Sequence, residues 1–490
     1  MKFIQYYLDC LSHASYLVGD ETTGRAVVID PQRDISEYLS DAKALGMSIE
    51  LVIETHFHAD FLSGHLELAD ATGAKIVYSS VAQPEFDILP VEDGERYSLG
   101  EVTLEFRHTP GHTPESLSIV VFEHPGDATP YCVFTGDTLF IGDVGRPDLL
   151  ASIGFTREEL ADKLYDSLHG KLMTLPDATR VYPAHGAGSA CGKNLSADLV
   201  STIGEQNRTN YALRAPDKQT FMNLVTEGQP PAPGYFVYDA ILNRKERGLL
   251  DEHTAPKAMS YEEAQQAVAQ GAVLVDGRSP EEFARGHLRG AVNIGLDGRY
   301  AEFAGSVVKP DVDIVLLTDP GQELEGKNRL ARIGFDRVVG CLPDPEQVMF
   351  THQDDVSTAS RLTTSAFGER LASVPDLQIV DVRNPGEAEA GMIPGAVNIP
   401  VGQLPDRAAD LDPATSILVC SPFERHDGIY ADQLYQYSKP QAGSIQINCN
   451  PTPSPPRATT HCSHPRQSLR RHRQGKSQCR AESQECTGAV

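Results

Sequence analysis

Residues 55–65 read THFHADFLSGH and follow the apolar, strand-like segment SIELVIE at residues 48–54. Three side chains able to bind a metal alternate through this segment: His56, His58 and Asp60. Imidazole and carboxylate groups together suit zinc, iron or manganese. A metal site also needs such groups brought together from separate loops, so other parts of the chain must contribute ligands.

Further candidate ligands follow strand-like segments later in the N-terminal half: His112 in TPGHTPES, Asp137 in TGDTLF and His185 in YPAHG. A histidine taken alone is more often structural than a ligand. Candidate ligands on successive strand-end loops reverse that expectation and favour a metal site. The segments between them alternate between strand-like and helical patterns, which predicts an α/β layered domain.

Together the motifs HxHxD, PGHT, GD and AHG resemble the metallo-β-lactamase superfamily over residues 1–245. The resemblance implies an αββα sandwich with the metal at one edge of its two sheets. Binuclear zinc hydrolases of that superfamily carry HxHxDH, whose last histidine helps to bind a second metal. This chain has Phe61 there, which leaves Asp60 and His185 as ligands besides any bridging Asp137. Because phenylalanine cannot coordinate a metal, we expect one metal ion in this domain.

The domain is also similar to the persulfide dioxygenase branch of the superfamily, whose metal set is two histidines and one carboxylate. That set belongs to the ligand class of nonhaem Fe(II) oxygenases. The resemblance implies one Fe(II) per N-terminal domain, with Zn(II) as the alternative, held by His56, His112 and Asp137. Three further groups would orient these ligands or bind water: His58, Asp60 and His185.

The segment FIGDVGRPDLL at residues 140–150 also resembles the dioxygenase branch. Its Arg146 has two interpretations. The guanidinium could bind substrate by clamping a carboxylate of a glutathione moiety in a bidentate fork, or it could brace the loop beneath Asp137. Asp148 and Tyr182 are weaker candidates, because either could simply satisfy neighbouring backbone groups.

An internal repeat organises the C-terminal half. VLVDGRSPEEFARGHLRGAVNI at residues 273–294 recurs 105 residues later as QIVDVRNPGEAEAGMIPGAVNI at residues 378–399. Identical residues keep the same spacing in both copies: Asp276, Arg278, Pro280, Glu282, Gly286, Gly290 and Asn293, matched by Asp381, Arg383, Pro385, Glu387, Gly391, Gly395 and Asn398. Each copy predicts a strand, a charged turn, a short helix and a second strand, as in a small parallel α/β unit.

The repeat resembles the rhodanese family, so residues 258–350 and 362–440 are expected to form tandem rhodanese-like domains. Active members carry a cysteine after a central strand, where backbone amides stabilise its thiolate. The first copy has Asp319 there, which predicts a structural role or a subunit contact. The second copy offers Cys420 in SILVCSPFERHD as a catalytic sulfur carrier, although the following helix and strand are missing from its pattern. Cys341 is interpreted as an ordinary packed thiol.

The overall composition predicts a multidomain globular protein of 490 residues with a net charge of −26, which disfavours nucleic acid and anionic lipid as partners. We expect no membrane span and no secretory leader, and the scattered cysteines up to residue 420 suit a reducing compartment, so the predicted location is cytoplasmic.

Residues 441–490 carry seven basic and two acidic residues and predict a disordered basic tail. A zinc-binding tail and an out-of-frame segment are the alternatives.

The two halves together predict sulfur metabolism. We expect a persulfide dioxygenase fused to rhodanese-like domains, which oxidises glutathione persulfide or a similar small persulfide with O2 to sulfite and thiol, and which forms a homo-oligomer. One alternative is a zinc thioesterase resembling glyoxalase II, with a metal hydroxide as nucleophile. The other alternative is a noncatalytic sulfur-binding or scaffold protein.

Overall fold

The computed structural model describes residues 1–149, 154–229, 231–362, 364–374 and 377–412, together with the backbone of residues 417–420 and 446–447. The predicted tail therefore lies outside the described residues except at positions 446–447, and so does the segment that follows Cys420. Within the described ranges, no helix combines the length and the apolar composition that crossing a membrane requires.

The first sheet contains strands that neighbour one another in chain order. Strands β1 to β6 are Lys2–Leu8, His13–Asp20, Arg25–Ile29, Ser48–Ile53, Lys75–Ser79 and Leu89–Val91. Strands β1 to β3 pair antiparallel, and β3 to β6 run parallel. Helix α1 (Ser36–Leu45) connects β3 to β4, and helix α2 (His65–Thr72) connects β4 to β5. Strand β1 is not among the strands that the sequence predicts.

The second sheet contains the strands β7 to β12: Arg96–Ser98, Thr103–His108, Leu117–Phe122, Cys132–Gly136, Arg180–Pro183 and Ser201–Thr202. Their order is β12-β11-β10-β9-β8-β7, and β10 runs parallel to β11. Helix α3 (Arg157–Ser167) connects these two strands, and helices α4 (Ile203–Thr209) and α5 (Lys218–Thr226) follow β12. Helix α3 begins with a capping box, in which Thr156 and Glu159 satisfy each other's free backbone N–H groups.

The strand side chains alternate between two apolar layers. Val27 and Ile29 of β3 pack between the sheets with Phe106 of β8. Val28, between them in the chain, points to the opposite face and packs with Tyr38 of α1. The outer face of the second sheet is covered in the same way by α3 and α5. Burial of each such side chain is worth about 1.5–3 kcal/mol. The layers follow the order helix, sheet, sheet, helix, so the predicted αββα sandwich is confirmed.

Helix α6 (Phe236–Leu242) leads from the sandwich to the first repeat domain. The elements of this domain are α7 (Tyr261–Ala269), β13 (Val273–Asp276), α8 (Pro280–Arg285), β14 (His287–Leu288), β15 (Val292–Asn293), α9 (Tyr300–Val307), β16 (Ile314–Leu317), α10 (Glu323–Ala331), β17 (Val338–Leu342), α11 (Pro345–Thr351) and β18 (Val356–Ser357). Strands β15-β13-β16-β17 form a parallel sheet, and β14 pairs with β18. The predicted small parallel α/β unit is confirmed.

The second repeat domain contains β19 (Ser360–Arg361), α12 (Thr364–Ser373), β20 (Gln378–Asp381), α13 (Pro385–Glu389), β21 (Val397–Asn398), α14 (Leu404–Arg407), β22 (Ile417–Cys420) and β23 (Gln446–Ile447). Its sheet has the order β19-β23-β22-β20-β21. Strand β23 pairs with β22 in this sheet. These two residues lie within the range for which the sequence predicts a disordered tail, and that tail stays a prediction.

The residues shared by the two repeats form a local hydrogen-bonded structure. The Arg278 guanidinium donates to both carboxylate oxygens of Asp276, at 3.0 and 2.5 Å. The Asn293 carboxamide donates to the carbonyl oxygens of Asp276 and Arg278. Glu282 and Ser279 form the capping box of α8. The second copy repeats these contacts with Asp381, Arg383, Asn398, Glu387 and Asn384. The shared spacing thus specifies a turn and a helix start.

The first repeat domain packs directly on the sandwich. Arg33 is buried at the junction, where its guanidinium donates to the carboxylates of Glu67 and Asp336 and to the carbonyl oxygen of Ala331. An apolar cluster also spans the junction, with members from both sides: Phe61, Phe140, Tyr235, Tyr300 and Phe303. Charged and apolar contacts therefore join the two domains.

Candidate metal centre

Four strand-end loops bring the predicted ligands to one edge of the sandwich. The metal loop, residues 56–63, connects β4 to α2 and carries His56. His112 lies between β8 and β9, Asp137 directly follows β10, and His185 lies just beyond β11. These four side chains are at most 2% exposed. The edge of the sandwich therefore holds a buried cluster of imidazole and carboxylate groups.

A glycine allows two of these loops to approach each other. Gly136 precedes Asp137 and has a φ of 49°, a conformation that other residues rarely adopt. A Cβ atom at this position would lie 2.6 Å from the hydroxyl oxygen of Thr55, the residue before His56. The close approach of the two loops therefore depends on the absence of a side chain at Gly136.

His56, His112 and Asp137 come together around one point. The Asp137 Oδ2 atom lies 3.8 Å from His56 Nε2 and 3.4 Å from His112 Nε2. One candidate ligand atom from each residue lies within 4.8 Å of the other two. The structure therefore brings together the three residues that the sequence predicts as the metal set.

Hydrogen bonds orient the two imidazoles. The Thr55 hydroxyl donates to Asp30 Oδ2 at 2.9 Å, so its oxygen can accept the Nδ1–H of His56, which lies 3.0 Å away. The Nδ1–H of His112 donates to the carbonyl oxygen of Arg146 at 2.9 Å. Both assignments leave Nε2 without a proton and facing Asp137. This is the tautomer that a metal ligand requires.

The charge state of the cluster also fits a cation. Burial lowers the pKa of His112 to about 4 and that of His56 well below its usual value, which keeps both imidazoles neutral. Burial raises the pKa of Asp137 to about 6. Within the described part of the chain, His56 Nε2 and both Asp137 carboxylate oxygens have no hydrogen-bond partner although they are buried. A divalent metal ion would satisfy these atoms, so the three residues fit the implied metal.

His58, Asp60 and His185 form a second group behind the first. His185 Nε2 lies 3.2 Å from Asp60 Oδ2 and 3.4 Å from Asp137 Oδ1. The Nδ1–H of His185 donates to a backbone carbonyl oxygen at 3.2 Å, which leaves its Nε2 free of a proton. One candidate ligand atom from each of the three residues lies within 4.8 Å of the others. This group could orient the first set or contribute to a second metal site.

The His58 ring is held by carboxylates. Its Nε2 atom lies 3.0 Å from Asp30 Oδ1 and 3.4 Å from Glu54 Oε2. Burial acts to lower the pKa of His58, but the Asp30 and Glu54 carboxylates raise it well above its usual value. The Nε2 atom of His58 is therefore used in ion pairs, and only Nδ1 remains without a partner among the described residues.

Phe61 lies in the apolar wall beside this second group. The side chain is 1% exposed, and its ring centroid lies 4.3 Å from that of His58 and 3.9 Å from that of His13. The ring fills space next to Asp60 with atoms that cannot bind a metal. A second metal ion here would therefore depend on Asp60, His185 and a shared Asp137.

Arg146 braces its own loop. Its guanidinium donates to both oxygens of Asp148, at 2.7 and 2.8 Å, and to the carbonyl oxygen of Ala190 at 3.1 Å. A substrate carboxylate would have to compete with Asp148 for this guanidinium, so a substrate-binding Arg146 stays a prediction. Tyr182 packs in the sandwich core, with its ring centroid 5.0 Å from that of Phe3.

Cys191 and Asp30 are functional candidates that the sequence analysis missed. The buried Cys191 thiol lies within 4.8 Å of candidate ligand atoms of Asp137 and His185. Burial raises its pKa well above the usual value. Asp30 directly follows β3 and accepts hydrogen bonds from both the backbone N–H and the hydroxyl of Thr55. Asp30 could have been found from the sequence, because it is a carboxylate just after the strand-like segment VVI. Cys191 could not, because its approach to Asp137 and His185 depends on how the loops pack.

Cys420 is the last residue of β22, where it pairs in register with Asp381. In the first repeat domain the same register position, opposite Asp276, belongs to Leu317. Asp319 follows two residues later in the first copy. The side chain of Cys420 lies outside the described residues, so its role as a sulfur carrier stays a prediction.

The comparisons with known proteins agree with this architecture. The family described as the metallo-beta-lactamase superfamily matches residues 8–185, and the rhodanese-like domain family matches residues 260–342 and 364–443. The chain belongs to the metallo-beta-lactamase superfamily and carries rhodanese-like domains after the sandwich. It is therefore a superfamily enzyme with candidate metal ligands at the expected edge of the fold.

Individual relatives include proteins named for two different reactions. The mitochondrial persulfide dioxygenase ETHE1 of Bos taurus is 34% identical over 221 residues, which cover 45% of this chain and 78% of that protein. A cytoplasmic hydroxyacylglutathione hydrolase of Arabidopsis thaliana is 31% identical over 183 residues, which cover 37% of this chain and 66% of that protein.

A solved structure resembles more of the chain. The crystal structure of a metallo-beta-lactamase from Staphylococcus aureus subsp. aureus COL is similar with a TM-score of 0.63 and 33% sequence identity. The similarity covers 70% of this chain and 99% of that one. Since residues 1–245 make up half of the 490-residue chain, a similarity that covers 70% of the chain extends beyond the sandwich.

Proposed function

We propose that this protein is a persulfide dioxygenase that uses one Fe(II) per N-terminal domain. One O2 and one water would convert glutathione persulfide, or a similar small persulfide, to the thiol and sulfite. The observation that carries the proposal is the convergence of two neutral imidazoles and one carboxylate: His56, His112 and Asp137. This ligand class leaves metal positions open for substrate and O2. The similarity to a relative named persulfide dioxygenase supports the proposal.

The chain's own residues prepare this site in three ways. Thr55 and the Arg146 carbonyl orient the imidazoles that would hold the metal. Burial of the cluster excludes bulk water, which protects a reactive sulfur intermediate from side reactions. His185 Nε2, 3.2 Å from Asp60, is placed to accept a proton from the water that releases sulfite. Bound Fe(II) would supply O2 activation and a coordination position for the persulfide sulfur.

The proposal extends to parts of the chain beyond the metal centre. We propose that His58, Asp60 and His185 act from behind the ligands and that Cys420 carries sulfane sulfur in the second repeat domain. We also propose that the enzyme forms a homo-oligomer. The first repeat domain lacks a cysteine after β16 and would have a structural role.

A zinc-dependent thioesterase is the second candidate function. Asp60 and His185 favour it, because His185 Nε2 lies 3.2 Å from Asp60 Oδ2 and 3.4 Å from Asp137 Oδ1, so these groups could hold a second metal ion. The similarity to a relative named hydroxyacylglutathione hydrolase also supports it. Two metals, or one metal with a bound hydroxide, would then provide the nucleophile.

The test compares both reactions on the same protein. Fe(II)-loaded enzyme, purified without oxygen, receives glutathione persulfide while O2 uptake and sulfite are measured. Zn(II)-loaded enzyme receives a glutathione thioester. His112→Ala removes a proposed ligand, and His124→Ala removes an exposed histidine of the same domain as the matched control. We expect persulfide-dependent O2 uptake with sulfite, a loss of more than about 100-fold in His112→Ala, and no change in His124→Ala.

Other outcomes would change the assignment. Thioester cleavage by the zinc enzyme, without O2 uptake by the iron enzyme, would establish the hydrolase instead. An Fe(II)-loaded enzyme that retains full O2 uptake in His112→Ala would remove His112 from the metal set. Inactivity in both assays would leave a noncatalytic sulfur-binding protein as the remaining candidate.

A further inference from the structure

The metal loop is held from outside the sandwich. Its residues His56 and Asp60 belong to the proposed metal centre, and the backbone between and after them is buried. Buried backbone N–H and C=O groups need partners, because each group left without one costs free energy. In this loop, several of those partners come from the segment that leads into the first repeat domain and from that domain itself.

One carboxamide supplies three of these contacts. The Asn243 side chain is 1% exposed and directly follows α6. Its Nδ2 atom donates to the carbonyl oxygens of His58 and Phe61, both at 2.8 Å. Its Oδ1 atom accepts the backbone N–H of Ser63 at 2.9 Å. A single planar group therefore fixes the backbone at three positions of the metal loop.

Two arginines also contact the backbone of the metal loop. The Arg247 guanidinium donates to the carbonyl oxygen of Ser63. The backbone N–H of Leu62 donates to the carbonyl oxygen of Arg332, which follows α10 of the first repeat domain, at 2.7 Å. Together with Asn243, these residues bind backbone groups of His58 and of residues 61–63 in the metal loop. All three anchors come after β12, the last strand of the sandwich, in the chain.

We propose that Asn243 is a positioning residue for the metal centre, through which the linker to the first repeat domain sets the conformation of the metal loop. The proposal rests on the metal site included in the proposed function, although it holds for either reaction. Without the two N–H groups of Asn243, the carbonyl oxygens of His58 and Phe61 lose their buried donor. The loop backbone then shifts to find other partners, and the side chains of His56 and Asp60 move with it.

The test measures metal binding to the full-length protein. Asn243→Asp keeps the side-chain shape and an acceptor for the Ser63 N–H. It replaces the donating NH2 group with a carboxylate oxygen, which can only accept hydrogen bonds. We expect Co(II) affinity, measured by competition with a coloured chelator, to fall about 10- to 100-fold, as is common when partners of metal ligands are lost. We also expect the visible absorption spectrum of bound Co(II) at saturation to change. Asn243→Ala removes the same donors without adding a charge. It serves as the test variant if Asn243→Asp does not fold.

Asn293→Asp is the matched control. Asn293 is also buried, and its Nδ2 atom donates to two carbonyl oxygens, those of Asp276 and Arg278, at 2.8 and 3.0 Å. The control therefore loses equivalent hydrogen bonds within the first repeat domain. We expect it to lower the urea midpoint of unfolding and to retain wild-type Co(II) affinity and spectrum. Equal losses of Co(II) affinity in Asn243→Asp and Asn293→Asp would overturn the proposal, because they would reflect general instability.

Wild-type Co(II) affinity and spectrum in a folded Asn243 variant would also overturn it. The same samples keep this proposal distinct from the proposed function. Wild-type enzyme that binds metal but shows no persulfide-dependent O2 uptake contradicts the dioxygenase assignment alone. A changed Co(II) spectrum in Asn243→Asp, with Asn293→Asp unchanged, supports the positioning role whichever reaction the enzyme performs.

Discussion

Buried polar side chains are arranged in opposite ways at the metal centre and in the first repeat domain. In the repeat domain, Arg278 and Asp276 are buried and pair with each other through two hydrogen bonds. At the metal centre, His56 Nε2 and both oxygens of Asp137 are equally buried and face one another without a hydrogen bond from any described residue. The first arrangement is complete without a ligand, and the second is completed by a cation.

This difference separates two kinds of sequence motif. Each buried polar atom without a partner costs about 1–3 kcal/mol. The sandwich therefore carries a local cost that metal binding removes, whereas the repeat motif stabilises a turn by itself. Spacing alone does not distinguish the two, since HxHxD and DxRxPxE are both regular patterns. The two motifs are distinguished by whether their buried polar atoms have hydrogen-bond partners within the protein.

The largest expected effect compares Arg278→Ala with His112→Ala in metal-free protein. Arg278→Ala leaves Asp276 as an uncompensated buried charge and should lower the free energy of unfolding by about 3–5 kcal/mol. His112→Ala removes one hydrogen bond to the Arg146 carbonyl and should cost only about 1–2 kcal/mol. Urea unfolding followed by circular dichroism measures both, because the chain has no tryptophan. Equal losses would contradict the proposed difference between the two regions.

Phe61→His would sharpen the comparison by adding a ligand to the metal centre. The new imidazole would lie beside Asp60 and close to His185, so we expect the zinc content of the loaded protein to rise from about one to two per domain. Elemental analysis after gel filtration measures this ratio. Phe61→Leu, which keeps the wall apolar, is the control. A folded Phe61→His protein that still binds one zinc would show that the Asp60 and His185 group does not form a second site.

A smaller effect concerns pH and the charged junction between the domains. Burial acts to raise the pKa of Glu67, but the Arg247 and Arg33 guanidinium groups lower it overall. The resulting stability is present above the unfolded pKa of about 4.3 and is lost as pH falls through the lower folded value. We expect unfolding midpoints to drop less steeply below that pH in Glu67→Gln than in wild type.

The exposed Glu246→Gln is the control for this pH dependence. It should follow the wild-type profile, because it removes a carboxylate outside the junction. Parallel profiles for Glu67→Gln and wild type would mean that the Glu67 carboxylate does not contribute to acid sensitivity.

The motifs and the family that they resemble were sufficient to predict the sandwich, and the structure brings His56, His112 and Asp137 together, although their role as the metal set stays a prediction. Ligands that follow successive strands meet at one edge, so spacing carries that information. The contacts of Asn243 and Arg33 could not be predicted, because they join segments more than 180 positions apart through tertiary packing. The orientation of the His58 ring toward Asp30 and Glu54 could not be predicted either, since the motif alone does not reveal which ring nitrogen faces the metal. Strand β1 was missed because KFIQYYL lacks regular alternation.

The junction around Arg33 also bears on how the protein folds while it is being synthesised. Arg33 finds one of its carboxylate partners, Asp336, 303 residues later in the chain. Domains generally fold in order as they leave the ribosome. The sandwich therefore emerges with an Arg33 guanidinium that can pair with Glu67 but not yet with Asp336, and this surface is completed only when the first repeat domain follows. The first repeat domain is thus also the segment whose synthesis covers the charged surface around Arg33.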